Sequence, residues 1–316
     1  MSDFICTIGI PAYNEQETIL HLLSDLYNEV KLLSGKWQII IVANGCTDNT
    51  MEQVLAFGSK HWQLVDHKQR IKQDWWYFAH QDNLYQVCAI VEKKKSTALN
   101  IIHRNSQSEA VILLDADIRL CRRVLSAMLQ ALKNHPTHSI AVPRYQGTIE
   151  PFRLQKGLPD YLRMQVCKAI NHFDTYVPRL DGKALVYRRK LISQHPPLIT
   201  CDMWLEGQAW MTTQGCIYLQ TYQVNYRFPS SFHELTVQYA RYMETLQKFK
   251  LEYAELYTAL SEGRQSVKAQ RQQEPSIVNR FIGWAFFRWI DIYNLFFNKN
   301  RVAGDEEWEV ISTTKR

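Results

Sequence analysis

The chain lacks the marks of several common protein classes. Its 316 residues show no internal repeat and no low-complexity tract, so nothing suggests a repeat array. The seven cysteines form no C-x-x-C pair and no regular framework. An odd count without a signal peptide points to reduced thiols in a cytosolic setting. No targeting segment is expected before the fold, because Asp3-Phe4-Ile5 already reads as the start of a strand. A large excess of one charge is also missing. The balance of 37 basic and 31 acidic residues gives a net charge of +6, which does not indicate a nucleic-acid partner. A modestly basic edge would equally suit a nucleoside diphosphate or an anionic lipid headgroup. The 46% hydrophobic content can fill one large α/β core with an appendage.

The most informative residues are Asp115-Ala116-Asp117. They end an apolar run, Ala110-Val111-Ile112-Leu113-Leu114. Two carboxylates one residue apart at a bent strand end can both face a hard divalent cation, which keeps open positions for phosphate oxygens. Upstream, Phe4 to Ile10 reads as a buried strand stopped by Pro11-Ala12-Tyr13-Asn14-Glu15. Ile19, Leu22, Leu23, Leu26, Val30 and Leu33 predict one apolar face of a helix over 16–33. Trp37 to Val42 is a second strand. The turn-rich Ala43-Asn44-Gly45-Cys46-Thr47-Asp48-Asn49-Thr50 leads into a helix at 51–57, and Lys93 to Asn100 opens another. This β-α-β-α order predicts a mainly parallel sheet flanked by helices, with loops gathered at the strands' carboxyl ends.

The ordered series P-A-Y-N-E, V-A-N-G-C-T-D-N-T, K-x-x-A-L-N and L-L-D-A-D resembles the nucleotide-sugar half of family 2 glycosyltransferases with the GT-A fold, a Rossmann-like nucleotide-binding architecture. The resemblance covers residues 5–117 closely and continues more loosely to 242. It implies an enzyme that moves a sugar from a nucleotide-diphosphate sugar to an acceptor hydroxyl of unknown identity, inverting the anomeric centre with a divalent metal. It implies that Pro11, Ala12 and Tyr13 line the nucleoside, Glu15 reaches the ribose and Asp48 accepts a base N–H. Ala43 stands where many relatives carry an acid, which leaves Asn44 as the polar group for that contact. Asn14 and Asp48 are also ordinary helix caps. Lys95 would face the diphosphate, or else belong to a solvated basic run with Lys93 and Lys94. Asp115 and Asp117 would hold Mn²⁺ or Mg²⁺, with Asp115 also on the donor side.

The acceptor half is less regular. Leu180 to Arg189 resembles the family's glycine-containing strand before its catalytic acid. Relatives often show Glu-Asp there, followed by Leu. Here Cys201 replaces the Glu, while Asp202 and Leu205 match. Asp202 is therefore the implied general base, with Glu206 the substitute one turn later and a helix cap the plain alternative. His233 would be a third metal ligand. Gln238-Tyr239-Ala240-Arg241-Tyr242 resembles a Q-x-x-R-W motif, and Gln238 and Arg241 share one helical face toward acceptor or diphosphate. Trp75-Trp76-Tyr77-Phe78 is either a sugar-stacking platform or core.

The expected organisation is a donor half at 1–120, an acceptor half at 121–260, a polar linker at 261–276 and an aromatic helix with its tail at 277–316. Residues 277–297 are long enough to span a bilayer. Arg280, Arg288 and Asp291 interrupt that run on one stripe, which favours a helix lying in a membrane interface at the inner face, or packed on this domain or on a second subunit. The rival functions are a sugar-phosphate nucleotidyltransferase and a catalytically inactive nucleotide-sugar-binding module. The first would be expected to carry a glycine- and basic-rich loop after the first strand, which Pro11 to Glu15 is not.

Overall fold

The computed structural model describes residues 4–148, 167–168, 180–197, 201–229, 232–270 and 288. The chain opens with β1 (Phe4–Ala12), α1 (Ile19–Val30), β2 (Lys36–Asn44) and α2 (Thr50–His61). Three strands follow as a meander: β3 (Gln63–Arg70), β4 (Gln73–His80) and β5 (Asn83–Ile90). Next come α3 (Lys95–Asn105), β6 (Ala110–Leu114), the short β7 (Ile118–Leu120), α4 (Val124–Asn134), β8 (Ile140–Thr148) and β9 (Ala184–Arg188). The last described elements are α5 (Cys201–Thr212), β10 (Cys216–Arg227), α6 (Phe232–Glu252) and α7 (Ala254–Gln270).

All ten strands share one sheet, in the order β3-β4-β5-β2-β1-β6-β9-β8-β10-β7. Its centre, β5-β2-β1-β6, is parallel. The flanks bring in antiparallel pairs, β3 with β4, β4 with β5, and β9 against both β6 and β8. The sequence explains the centre: β2 reads Lys-Trp-Gln-Ile-Ile-Ile-Val-Ala-Asn and is buried from Trp37 to Asn44, as a strand covered on both faces must be. Gly9 on β1 is required by close packing, because a Cβ there would lie 2.3 Å from Cγ2 of Ile102 on α3. The polar residues of these strands pair with one another. The Thr7 hydroxyl donates to Gln38 Oε1 at 2.8 Å, and Gln38 Nε2 donates to Gln86 Oε1 at 2.6 Å.

Two expectations shift. The first helix runs from Ile19 to Val30, with residues 16–18 forming a turn that precedes it. Residues 261–270 are not linker: they continue α7, because Leu256 and Leu260 pack with Met203 and Phe249 while Arg264 reaches into the domain. The remainder of that expected linker and the aromatic segment at 277–297 lie outside the described residues, apart from Arg288. Trp75 and Phe78 are 2% and 1% exposed, so this aromatic run feeds the core through those two residues.

Candidate active site

The parallel centre aims its strand ends at one edge. β1 ends at Ala12, β2 at Asn44, β5 at Ile90 and β6 at Leu114. β9 runs opposite to β6 with Ala184 beside Leu114, so Asp181-Gly182-Lys183 arrives at the same edge. The Asp115 N–H donates to the Lys183 carbonyl at 2.8 Å and fixes the acidic triplet to that loop. Beyond the triplet, Asp25 of α1 takes a bidentate pair from Arg119 at 2.6 and 2.9 Å and a bond from the Leu120 N–H.

The loops after β1 and β2 are stitched together. Asn14, at φ +52°, accepts the Thr47 N–H on its Oδ1 at 2.8 Å. The Glu15 N–H donates to the Thr50 hydroxyl at 2.6 Å, and the Gln16 N–H to Asp48 Oδ2 at 3.2 Å. Asp48 Oδ1 also accepts the N–H and the hydroxyl of Thr50 at the start of α2. Asp48 thus ties the turn before α2 to the loop after β1. Glu15 is buried and accepts the Thr18 hydroxyl at 2.7 Å. Ala12 and Tyr13 are buried beside them. Asn44 is different: it is fully buried, yet neither atom of its carboxamide has a hydrogen-bond partner among the described residues.

A cavity of about 100 Å³ opens at this edge, lined by Pro11, Lys95, Asp115, Asp181, His195 and Asp202 together with apolar neighbours. Lys95 Nζ lies 2.6 Å from Asp115 Oδ1. Burial disfavours the Lys95 ammonium, but Asp115 and the more distant Asp202 outweigh it and raise its pKa. Lys93 and Lys94 are exposed, so of the basic run only Lys95 joins the site. Asp202 stands in the first turn of α5. Burial, then the charge of Asp181, pushes its carboxyl up to about 6 against the pull of Lys95. Gly182 beside it holds φ +71°, a left-handed conformation that side chains rarely adopt. Asp181 itself is ion-paired to Lys183, whose ammonium lies 4.2 Å from the centre of the Tyr226 ring.

Glu206, the expected substitute for Asp202, is engaged elsewhere. It is fully buried, receives Arg264 through both oxygens at 3.0 and 2.6 Å, and accepts the Tyr218 hydroxyl at 2.8 Å. One turn beyond Asp202 it faces the α7 side of α5, where its lone pairs are consumed by structure. Asp117 is exposed beyond β6. His233 lies in the first turn of α6, with its side chain outside the described residues. Gln238 is exposed and Arg241 half-buried on the same helix, and neither lines the cavity.

An oxygen-rich donor set of two carboxylates suits a hard cation such as Mg²⁺ or Mn²⁺. Asp115 already shares one oxygen with Lys95, and no group of three or more His, Cys, Asp or Glu gathers among the described residues. Asp115 lines the cavity and Asp117 does not, so a cation held by the two would take most of its ligands from a diphosphate and water. Two larger cavities, of about 530 and 630 Å³, are lined by Glu109 and by Arg188, which pairs with Ala110 at the opposite end of β6. Neither contains an acidic pair at a strand's carboxyl end.

The sequence reading missed His195 and left Asp181 without a role. His195 carries no motif around it beyond the Pro196-Pro197 that follows. The only available signal was Asn100, whose side chain clamps the His195 backbone.

Residues 7–73 match the family described as Glycosyl transferase family 2. A comparison with curated proteins returns no match. Among solved structures, the mannosyltransferase PcManGT from Pyrobaculum calidifontis, in complex with GDP-Man and Mn²⁺, is similar over 92% of this chain and 87% of its own. The TM-score is 0.54 and the identity 17%. Glucosyl-3-phosphoglycerate synthase from Mycobacterium tuberculosis, with Mn²⁺, UDP and glucosyl-3-phosphoglycerate, is similar over 77% of this chain and 78% of its own, with a TM-score of 0.50 and 15% identity. S. aureus TarS matches 73% of this chain, which spans 38% of the length of that protein, with a TM-score of 0.47 and 15% identity. The architecture is that of GT-A glycosyltransferases.

Proposed function

We propose, from a GT-A fold whose residues 7–73 match glycosyl transferase family 2, that this chain transfers a sugar from a nucleotide-diphosphate sugar to an acceptor hydroxyl, inverting the anomeric centre. The observation that carries this is the Asp202 carboxyl, with its pKa near 6, in one cavity with the Lys95–Asp115 pair. A base of that pKa is ionised at neutral pH and close enough to it to take a hydroxyl proton as the oxygen attacks, a contribution of about 10²–10⁴-fold in rate. Lys95 holds Asp115 in place and offers positive charge to the diphosphate. Asn44, buried with unpaired donors and an acceptor, is the group best suited to read the base edge, and Tyr13 would line the nucleoside with it. Asp48 and Glu15 shape that pocket through the loops they pin. Asp115 and Asp117 would hold Mn²⁺ or Mg²⁺, whose charge, when bound, offsets that of the departing nucleoside diphosphate.

The test is calorimetry of UDP, GDP and dTDP, with and without Mn²⁺, on the protein and on Asp117→Ala. Metal-dependent binding of one nucleotide that disappears in the folded variant is the expected result. Equal affinity in the variant would remove the carboxylate pair from the site.

A further inference from the structure

His195 lines the cavity without a role. It is 2% exposed, and neither Nδ1 nor Nε2 has a hydrogen-bond partner among the described residues. Buried polar side chains are almost always paired, so an orphaned imidazole in a cavity wall points to a missing ligand.

The residue is firmly placed. Its N–H donates to Asn100 Oδ1 at 2.7 Å, and Asn100 Nδ2 donates back to its carbonyl at 2.9 Å. This two-point clamp ties the loop to α3, the helix that also carries Lys95. Pro196 follows and restricts the His195 backbone to extended conformations, and Cys201 Sγ donates to the Pro196 carbonyl at 3.6 Å. The ring stands edge-on to His103 and Tyr187, at 6.1 and 5.9 Å between centres. Burial, then His103 and Lys95, lowers its pKa to about 3. The imidazole is therefore neutral and offers one N–H and one lone pair. A neutral donor–acceptor group suits an uncharged hydroxyl, whereas a phosphate would call for a cation.

We propose that His195 binds a sugar hydroxyl in this cavity and so sets which sugar is accepted. This rests on the cavity being the sugar-transfer site. The hydroxyl belongs either to the donor's sugar or to the acceptor, and one set of variants separates the two.

His195→Leu removes both nitrogens at similar volume, and His195→Gln keeps a donor and an acceptor. The full-length proteins are titrated with UDP-glucose, GDP-mannose and the matching nucleoside diphosphates in Mn²⁺, then assayed with methyl glycosides as acceptors. The melting temperature of His195→Leu should stay level or rise, because an unpaired buried polar group is gone. If the donor's hydroxyl is held, nucleotide-sugar affinity falls about tenfold while nucleoside-diphosphate affinity is unchanged. If the acceptor's is held, both affinities stand and the acceptor KM rises about tenfold. His195→Gln should recover part of either loss. A His195→Leu protein with unchanged affinities and unchanged KM overturns the proposal. So does a variant that only loses melting temperature and is restored by Gln with no change in ligand binding. A folded wild-type protein that binds no nucleotide sugar would instead overturn the sugar-transfer reading itself, and is seen without any variant.

Discussion

Asp202 is held at odds with its own stability. Its ordinary pKa of 3.8 is pushed to about 6 by burial and by Asp181. Well below pH 4 the group is protonated in folded and unfolded chains alike and costs nothing. Between about pH 4 and 6 the unfolded chain gives up the proton that the folded protein keeps, because the buried carboxylate is disfavoured, so stability falls across that window and levels off above it. Asp202→Asn should therefore be more stable than the parent by up to about 3 kcal/mol at pH 8, with the gap closing below pH 4. Urea unfolding at the two pH values measures it. The same variant should lose about 10²-fold or more in turnover with donor affinity nearly unchanged, while the parent's kcat/KM should climb through about pH 6. A variant of unaltered turnover would move the base to an acceptor-borne group, because Glu206 is occupied by Arg264.

The acid depends on how α5 is held. Met203, one residue after Asp202, packs with Phe249, Leu256 and Leu260 of α6 and α7. Arg264 of α7 then locks Glu206 by a bidentate pair in which the carboxylate is fully buried. Removing one partner of such a pair strands a charge, at a cost of about 3–5 kcal/mol. Arg264→Ala should be destabilised by about that much, whereas the double change Arg264→Met with Glu206→Leu should recover most of it. Thermal unfolding of both variants gives the answer, and a single variant of parental stability would show that the pair contributes nothing. The same contacts explain why residues 261–270 looked like linker. The stretch is polar, and its helix is held by Leu260 before it and by the one arginine within it.

At the scale of the whole molecule, no helix among the described residues is long and apolar enough to cross a membrane. The aromatic segment at 277–297, outside those residues apart from Arg288, is where membrane attachment would arise. If its aromatic face lies in a membrane interface, full-length protein should float with anionic liposomes and a chain ending at Pro275 should not. Lys299 and Arg301 would add about 1 kcal/mol each near anionic lipid. Both forms staying in the soluble fraction would mean that the segment packs on protein instead.

The parallel centre of the sheet and the edge where its loops meet were legible in the chain. Those follow from local facts: β-type apolar runs, turn residues after each, and helical periodicity between them. Residue type at a strand's end picked out Asp115 and Asp117, and the motif resemblance picked out Lys95 and Asp202. Contacts between distant segments separate residues that look alike in the chain. Glu206 and Asp202 are both acids on α5, and only the arrival of Arg264, 58 residues beyond Glu206, makes one structural and leaves the other facing the cavity. Asp48 spends both oxygens on neighbouring loops, while Asn44, four residues earlier, spends nothing. His195 enters the site through a clamp to Asn100 across 95 residues, a contact with no local periodicity to announce it. Pairing, burial and the electrostatics that follow from them are properties of distant segments brought together, so they exist only once the chain has folded.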